Sequence, residues 1–323
     1  MFKAITRGTF AAVALAALSL PAAAQKYPSG PVRMIVAYSA GGTGDVVGRI
    51  VAPKLAQLLG QSVVVENRPG ASGSIGAHAV ATAAPDGLTL LLGQTGEISI
   101  NQHWLKGLSY DPEKDLQPVA LLAVVPLGLV VPAKAPYSDM KGFLAALPKA
   151  KLTFASAGSG TPGYFAGEML KAATHSNLTH VPYKGAGPAL NDLLGAHVDL
   201  YFSGLPAAMS QVRAKTLKLL AVSSAKRASV APNVPTVAEA SGIKAFNFTL
   251  WSGIFVPHGT PQAIVTTLNT DINKVLNDPA TKKKLAALGA ELDPMSVDRF
   301  KKFVKDESDK YLGIIKQAGL TPQ

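Results

Sequence analysis

Residue types able to hold an anion gather at four turns, each directly after an apolar run. The first is Tyr38-Ser39-Ala40-Gly41-Gly42-Thr43-Gly44-Asp45, behind Met34-Ile35-Val36-Ala37. Gly41, Gly42 and Gly44 let the backbone turn sharply and approach a bound group closely. Thr43 reads as a helix N-cap, and Asp45 suits the positive start of the helix that follows. The free N–H groups at such a start form an anion site. The second turn is Ala157-Gly158-Ser159-Gly160-Thr161-Pro162-Gly163. There Ser156, Ser159 and Thr161 add hydroxyl donors to the backbone N–H groups. The third is Tyr183-Lys184-Gly185-Ala186-Gly187-Pro188, offering a hydroxyl, a ring and a positive charge; the fourth is Ser203-Gly204. Thr95, three residues after the apolar run that ends at Leu92, is placed with them. Ligands of open α/β sheets sit beyond the carboxyl ends of strands, where all these turns fall. Two such turns facing each other would hold an anion between two lobes.

Other chemistries fit less well. Gly158 to Gly163 match G-x-G-x-x-G, but no acid stands about twenty residues on, where a ribose hydroxyl would need one. A tight structural turn is the plain alternative for the same glycines. No G-x-S-x-G elbow is present. The histidines His78, His103, His175, His180, His197 and His258 are scattered, and no H-E-x-x-H or clustered His/Asp/Glu set suggests a metal. His180 and His197 stand near the inferred cleft, where a base or a structural role is open to each. Asp45, Glu97, Asp192 and Asp199 lie on different segments and read as caps or turn residues. No catalytic residue, metal or cofactor is assigned.

The elements that must position these turns alternate along the chain. Strands are expected at residues 34–37, 62–66, 88–92, 152–156, 179–182, 198–202, 217–222 and 248–256. The apolar run 120–131 is broken by Pro126 and reads as two strands passing between lobes. Helices are expected at 75–84, 136–147, 164–172, 188–194, 205–213, 261–276, 280–288 and 297–318. Pro235 is a candidate first helical residue, and Thr260 before Pro261 a helix start. Strand–helix alternation argues a parallel sheet with right-handed crossovers. The fold class is α/β: two lobes joined by two hinge crossings, the architecture of a clamshell binder. Residues 25–125 and 248–323 build one lobe and 126–247 the other.

Composition bounds the setting. The 323 residues are 48% hydrophobic and 16% charged, with 30 Gly and 23 Pro, which favours a packed core over disorder. Lys3 and Arg7, the apolar residues 10–20 and Pro21-Ala22-Ala23-Ala24 form a signal peptide cleaved after Ala24. The apolar run is too short to span a bilayer, which takes about 20 residues. Cysteine is absent, so disulfides and thiolate chemistry are excluded. The net charge of +11 favours anionic partners. Lysines at 282–284 and 301–302 read as solvated helix faces, not as a nucleic-acid stripe.

Taken together, the ordered matches are specific. Tyr27-Pro28, the 40–45 turn, Glu66-Asn67-Arg68-Pro69-Gly70-Ala71, Tyr183-Lys184-Gly185 and Val198-Asp199 recur in sequence. So do Val234-Pro235-Thr236-Val237-Ala238-Glu239 and Trp251-Ser252-Gly253-Ile254-Phe255-Val256-Pro257. Over nearly all of the mature chain the sequence resembles the tripartite tricarboxylate transporter receptors, also called Bug receptors. The resemblance implies a two-lobed periplasmic-binding-protein fold (type II, clamshell) with two hinge crossings, and a monomeric periplasmic receptor whose lobes close on a small carboxylate and deliver it to membrane subunits. It implies ligand contacts from Tyr38, Ala40, Gly41, Gly42, Thr43 and Asp45 on one side. On the other it implies Ser156, Gly158, Ser159, Gly160 and Thr161, with Tyr183, Lys184 and Ser203 nearby. Tyr38 and His258 depart from what relatives commonly carry, Phe and a small residue. An exported hydrolase of an anionic substrate and a sensory carboxylate receptor are the rival functions. A poised base–nucleophile pair in the cleft would favour the first of these.

Overall fold

The computed structural model describes residues 27–317 and 321–323. The signal-peptide expectation for residues 1–24 lies outside the described residues. Strand β1 (Val32–Val36) is fed on both edges by parallel neighbours, β2 (Val63–Asn67) and β3 (Thr89–Gln94). The apolar side chains of β1 and β3 are buried on both faces, as a parallel sheet requires, whereas edge strand β2 leaves Val64 exposed. Helix α1 (Thr43–Leu59) and α9 (Gln262–Asn277) cover one face through Val47, Val51, Leu55, Val265, Leu268 and Ile272. The other face is closed by α2 (Ser74–Ala81) and α11 (Val297–Gln317), with Ala77, Val80, Trp251, Phe255 and Phe300 packed together.

The second lobe repeats the design. Strand β5 (Lys151–Ser156) pairs parallel with β6 (Asn177–Pro182) and β7 (Leu200–Gly204). Helices α4 (Met140–Ala146) and α5 (Pro162–Thr174) pack one face through Phe143, Phe165 and Leu170. On the other face, α6 (Ala186–Leu194) and α7 (Leu205–Arg213) bring Leu190, Leu193 and Ala208.

The run 120–131, expected as two strands, is instead part of one, β4 (Leu116–Pro132). Its residues up to Pro126 pair with β9 (Thr249–Pro257). From Leu127 onward it pairs with β7 and with β8 (Leu217–Val222). Pro126 interrupts no sheet, because it stands where the strand changes partners. Strands β4 and β9 thus form the two crossings. A third element also bridges the lobes. Phe300 of α11 packs against Trp251 and Phe255, whereas Tyr311 packs against Phe165 and donates to the Thr249 carbonyl at 3.2 Å. Trp104, on the short helix α3 (Asn101–Trp104), likewise reaches Tyr164 and Phe165.

Three helix starts differ from expectation. The N-cap of α1 is Gly42, so Thr43 is the first helical residue and caps nothing. Short helix α8 (Val237–Ser241) starts from Thr236, whose hydroxyl and Glu239 make a reciprocal capping box, and Pro235 lies outside it. Helix α9 is preceded by Pro261 as N-cap, because the Thr260 hydroxyl donates to the Pro257 carbonyl instead. The remaining helix is α10 (Pro279–Ala287).

Candidate functional site

The first turns of four helices converge on one cavity between the lobes. Gly42 and Thr43 come from α1, Thr161, Pro162 and Gly163 from α5, Ala186 from α6 and Gly204 from the start of α7. Tyr38, Gln94, Gly96, Leu127, Ala157, Tyr201, Phe202 and Leu250 complete the lining. First-turn N–H groups have no partner inside their own helix. Each N-terminus also carries roughly half a positive charge. No lysine, arginine or carboxylate lines the cavity. The volume is about 30 Å³, room for about two water molecules.

The lobes touch across this cleft. The Ser39 N–H donates to the Lys184 carbonyl at 3.3 Å, and the Gly160 N–H donates to the Ser72 hydroxyl at 3.4 Å. Lobe 2 meets lobe 1 through glycines. A Cβ on Gly187 would lie 2.2 Å from the Ala40 carbonyl oxygen, and one on Gly160 2.1 Å from Asn101 Oδ1. One on Gly204 would lie 2.2 Å from the Thr43 hydroxyl. At Gly187 the facing backbone requires glycine; at Gly160 and Gly204 a facing side chain fills the space.

The first turn is held by its own side chains. Asp45 accepts from the Gly41 N–H at 3.0 Å and from Arg49 at 2.9 Å. Arg49 also reaches Asn67, whose amide donates to the Tyr38 carbonyl at 3.0 Å. Asp45 is therefore neutralised and points at the loop, and one N–H expected for a ligand is already spent on it. The Tyr38 hydroxyl donates to the Ser72 carbonyl. Beneath it, in the π-helical turn Gly96–Ile100, Glu97 is fully buried and accepts from the Gln94 N–H at 2.7 Å. Burial pushes its carboxyl up to about 8. Sequence reading took Glu97 as a cap or turn residue.

The second turn is braced in the same way. The Thr161 hydroxyl donates to the Gly158 carbonyl at 2.7 Å, so its proton is not free for a ligand. Ser156 is fully buried, accepts from the Gly158 N–H at 3.1 Å and sits 2.6 Å from His180 Nε2. This is a hydroxyl–imidazole pair of the kind a hydrolase would need. The ring is packed against Phe154 and Tyr164, at 4.9 and 4.8 Å, and desolvation lowers its pKa to about 4. No carboxylate among the described residues bonds its other nitrogen, and Ser156 does not line the cavity. The pair fixes the turn; it lacks the orienter and the access that a nucleophile requires.

Of the residues singled out in the sequence, Tyr38, Gly42, Thr43 and Thr161 line the cavity. Ala40 and Gly41 lie at its exposed rim. Asp45, Ser156, Gly158, Ser159 and Gly160 belong to the two turns without lining it. The Thr95 hydroxyl accepts from the Trp251 N–H at 2.9 Å, behind the cleft. Tyr183 donates to Asp192 at 2.6 Å, Lys184 is exposed, and the buried Ser203 donates weakly to the Gly204 carbonyl at 3.3 Å. Tyr201, Gln94, Leu127 and Leu250 were not anticipated as lining. A tyrosine on the strand before Ser203 and a glutamine ending an apolar strand were the available signals. Among the described residues no group of three or more His, Asp or Glu could hold a metal. No described helix is long and apolar enough to cross a membrane.

Two crossing strands, two α/β lobes and an uncharged cavity ringed by helix starts define a solute-binding protein of the periplasmic clamshell type. The chain belongs to a particular branch of that class: residues 47–320 match the family described as tripartite tricarboxylate transporter family receptor. The periplasmic binding protein BugD superposes with a TM-score of 0.88 at 35% identity, over 92% of this chain and all of that one. A protein from R. palustris solved with adipate gives 0.88 at 33% identity, again over 92% and 100%. MatC from Rhodopseudomonas palustris, with bound malate, gives 0.84 at 31% identity, over 90% and 100%.

Proposed function

We propose that this protein is a periplasmic receptor that captures a small carboxylate between its lobes and delivers it, unchanged, to the membrane subunits of a tripartite tricarboxylate-type transporter. The observation that carries this reading is the meeting of four helix N-termini, from both lobes, around a cavity without charged side chains. Such a site holds a carboxylate by backbone N–H groups and helix dipoles. Because both lobes contribute, binding favours closure. The adipate and malate seen in two relatives support the ligand class. In this reading residues 25–125 with 248–323 and residues 126–247 move as the two lobes. The mature receptor starts at Gln25 and acts as a monomer in the periplasm.

The test is a thermal-shift screen of residues 25–323, unfolded and refolded to strip any bound ligand. The panel holds mono-, di- and tricarboxylates, amino acids, aromatic acids and nucleotides. A ligand at 100 times its dissociation constant stabilises by about 2.7 kcal/mol. A carboxylate hit recovered unchanged supports the receptor; consumption of the hit would support the hydrolase. Gly42→Val, whose Cβ would stand 3.7 Å from Ala186 across the cleft, should weaken binding while the protein stays folded. Wild-type affinity in that variant would remove Gly42 from the site.

A further inference from the structure

A second cavity lies between α11 and the chain from Pro112 to Pro118, with a volume of about 470 Å³. None of its lining residues lines the cavity between the lobes. The π-helical turn stands between the two: Gly96 lines the cleft and Ile98 this groove.

The groove has an apolar floor and a charged mouth. Ile98, Leu116 and Phe255 are almost wholly buried and belong to the core cluster around Trp251 and Phe300. Val304 of α11 stands partly buried beside them. Lys301, Lys302 and Lys305, all exposed, line the mouth from one face of the same helix. Two carboxylates, Glu113 and Asp298, share the lining, so lysines outnumber them three to two. Lys302 pairs with Asp306 and Lys305 with Asp309, whereas Lys301 has no such partner among the described residues. Exposed pairs of this kind are weak and yield to a better partner.

A concave, mainly apolar pocket of a few hundred Å³ with a few polar groups at one side is the form that small-molecule sites take. An apolar body would displace water from the floor, and an anionic head would meet the lysines at the mouth. We infer that this groove is a second binding site, separate from the cleft, for a free small amphiphile: an apolar chain or ring that ends in a single anionic group. The inference stands apart from the carboxylate-receptor reading, because it uses none of the residues of the cleft.

The experiment titrates octanoate by calorimetry, below its micelle concentration, into wild type and three variants. Val304→Trp fills the groove and should abolish binding. Lys301→Gln with Lys302→Gln alters only exposed side chains, should leave the melting temperature unchanged, and should weaken binding about fivefold or more. Gly42→Val, in the cleft, should bind octanoate at this groove as wild type does. In that same variant octyl sulfate should also bind, and octylamine about tenfold more weakly or worse. Loss of octanoate binding in Gly42→Val with retention in Val304→Trp would place octanoate in the cleft and overturn the inference. Octylamine binding as tightly as octanoate, or no octanoate binding at all, would overturn it too. Co-sedimentation with phosphatidylglycerol vesicles that needs the two lysines, without octanoate binding, would make this face a membrane contact and equally overturn it.

Discussion

Replacing Gly187 by alanine should separate the stability of this protein from its ligand affinity. Gly187 is the second residue of α6, where alanine favours the helix by up to about 1 kcal/mol over glycine. Within lobe 2 the change is therefore neutral or stabilising. Across the cleft the new methyl would stand 2.2 Å from the Ala40 carbonyl oxygen, against 3.4–4 Å for ordinary contact. The lobes must then stop roughly 1 Å short of their present approach. Overpacking of this kind costs about 1–3 kcal/mol, and here only the closed state bears it. Ligand affinity should fall about 5- to 150-fold, while the ligand-free melting temperature holds or rises. Titration calorimetry reads the first quantity, differential scanning calorimetry the second, and small-angle scattering with and without ligand reads closure. Unchanged affinity and closure would refute the claim that backbone-to-backbone contact sets the closed state. A parallel loss of ligand-free stability would show that the contact belongs to the fold and not to closure.

Two further outcomes are expected. Glu97 is protonated more readily in the folded chain, at about 8, than the usual 4.5. Its contribution is therefore fully present below pH 4.5 and is lost as pH rises through 8. Glu97→Gln should flatten the fall in melting temperature between pH 5 and 8.5, and an unchanged slope would dismiss the buried acid as its cause. Asp45→Ala removes the acceptor for Gly41 and the partner of Arg49. It should cost about 1–2 kcal/mol in denaturant unfolding, after allowance for the exposed Arg49. It should also weaken ligand binding by freeing the first turn; full affinity would show that the turn keeps its shape without the carboxylate.

Much of the architecture was legible because it is written in local patterns. Apolar runs such as Met34 to Ala37 mark parallel strands, and glycine turns after them mark strand-to-helix corners. The strand at 116–132 was not legible as one piece. Pro126 breaks a strand only if its missing N–H would have had a partner, and the partner change at that residue is a tertiary fact. The site was half legible for a similar reason. Residue type placed hydroxyls at Ser156 and Thr161, but their hydrogen bonds to His180 and Gly158 are set by how the turn folds back. Asp45 entered the set of ligand contacts only through the family resemblance; its position alone read as an acid suited to a helix start. Its ion pair with Arg49 one turn on, and the bond by which Asn67 on β2 holds Arg49, become visible only in three dimensions. Tyr201 and Gln94 carried no signal beyond being polar residues at strand ends.

Helix α11 is a tie between the two halves. Its anchors Phe300 and Tyr311 are eleven residues apart, roughly 16 Å along the axis, and each is sunk in a different aromatic cluster. Ion pairs one turn apart, Lys302 with Asp306 and Lys305 with Asp309, run along its exposed side. A rod pinned at both ends cannot follow two bodies that gape like jaws. Parting the two halves must therefore carry α11 with one of them and uncover its contact with the other. Phe300 and Tyr311 are both fully buried, so uncovering either exposes aromatic surface to water, a cost that holds the halves together.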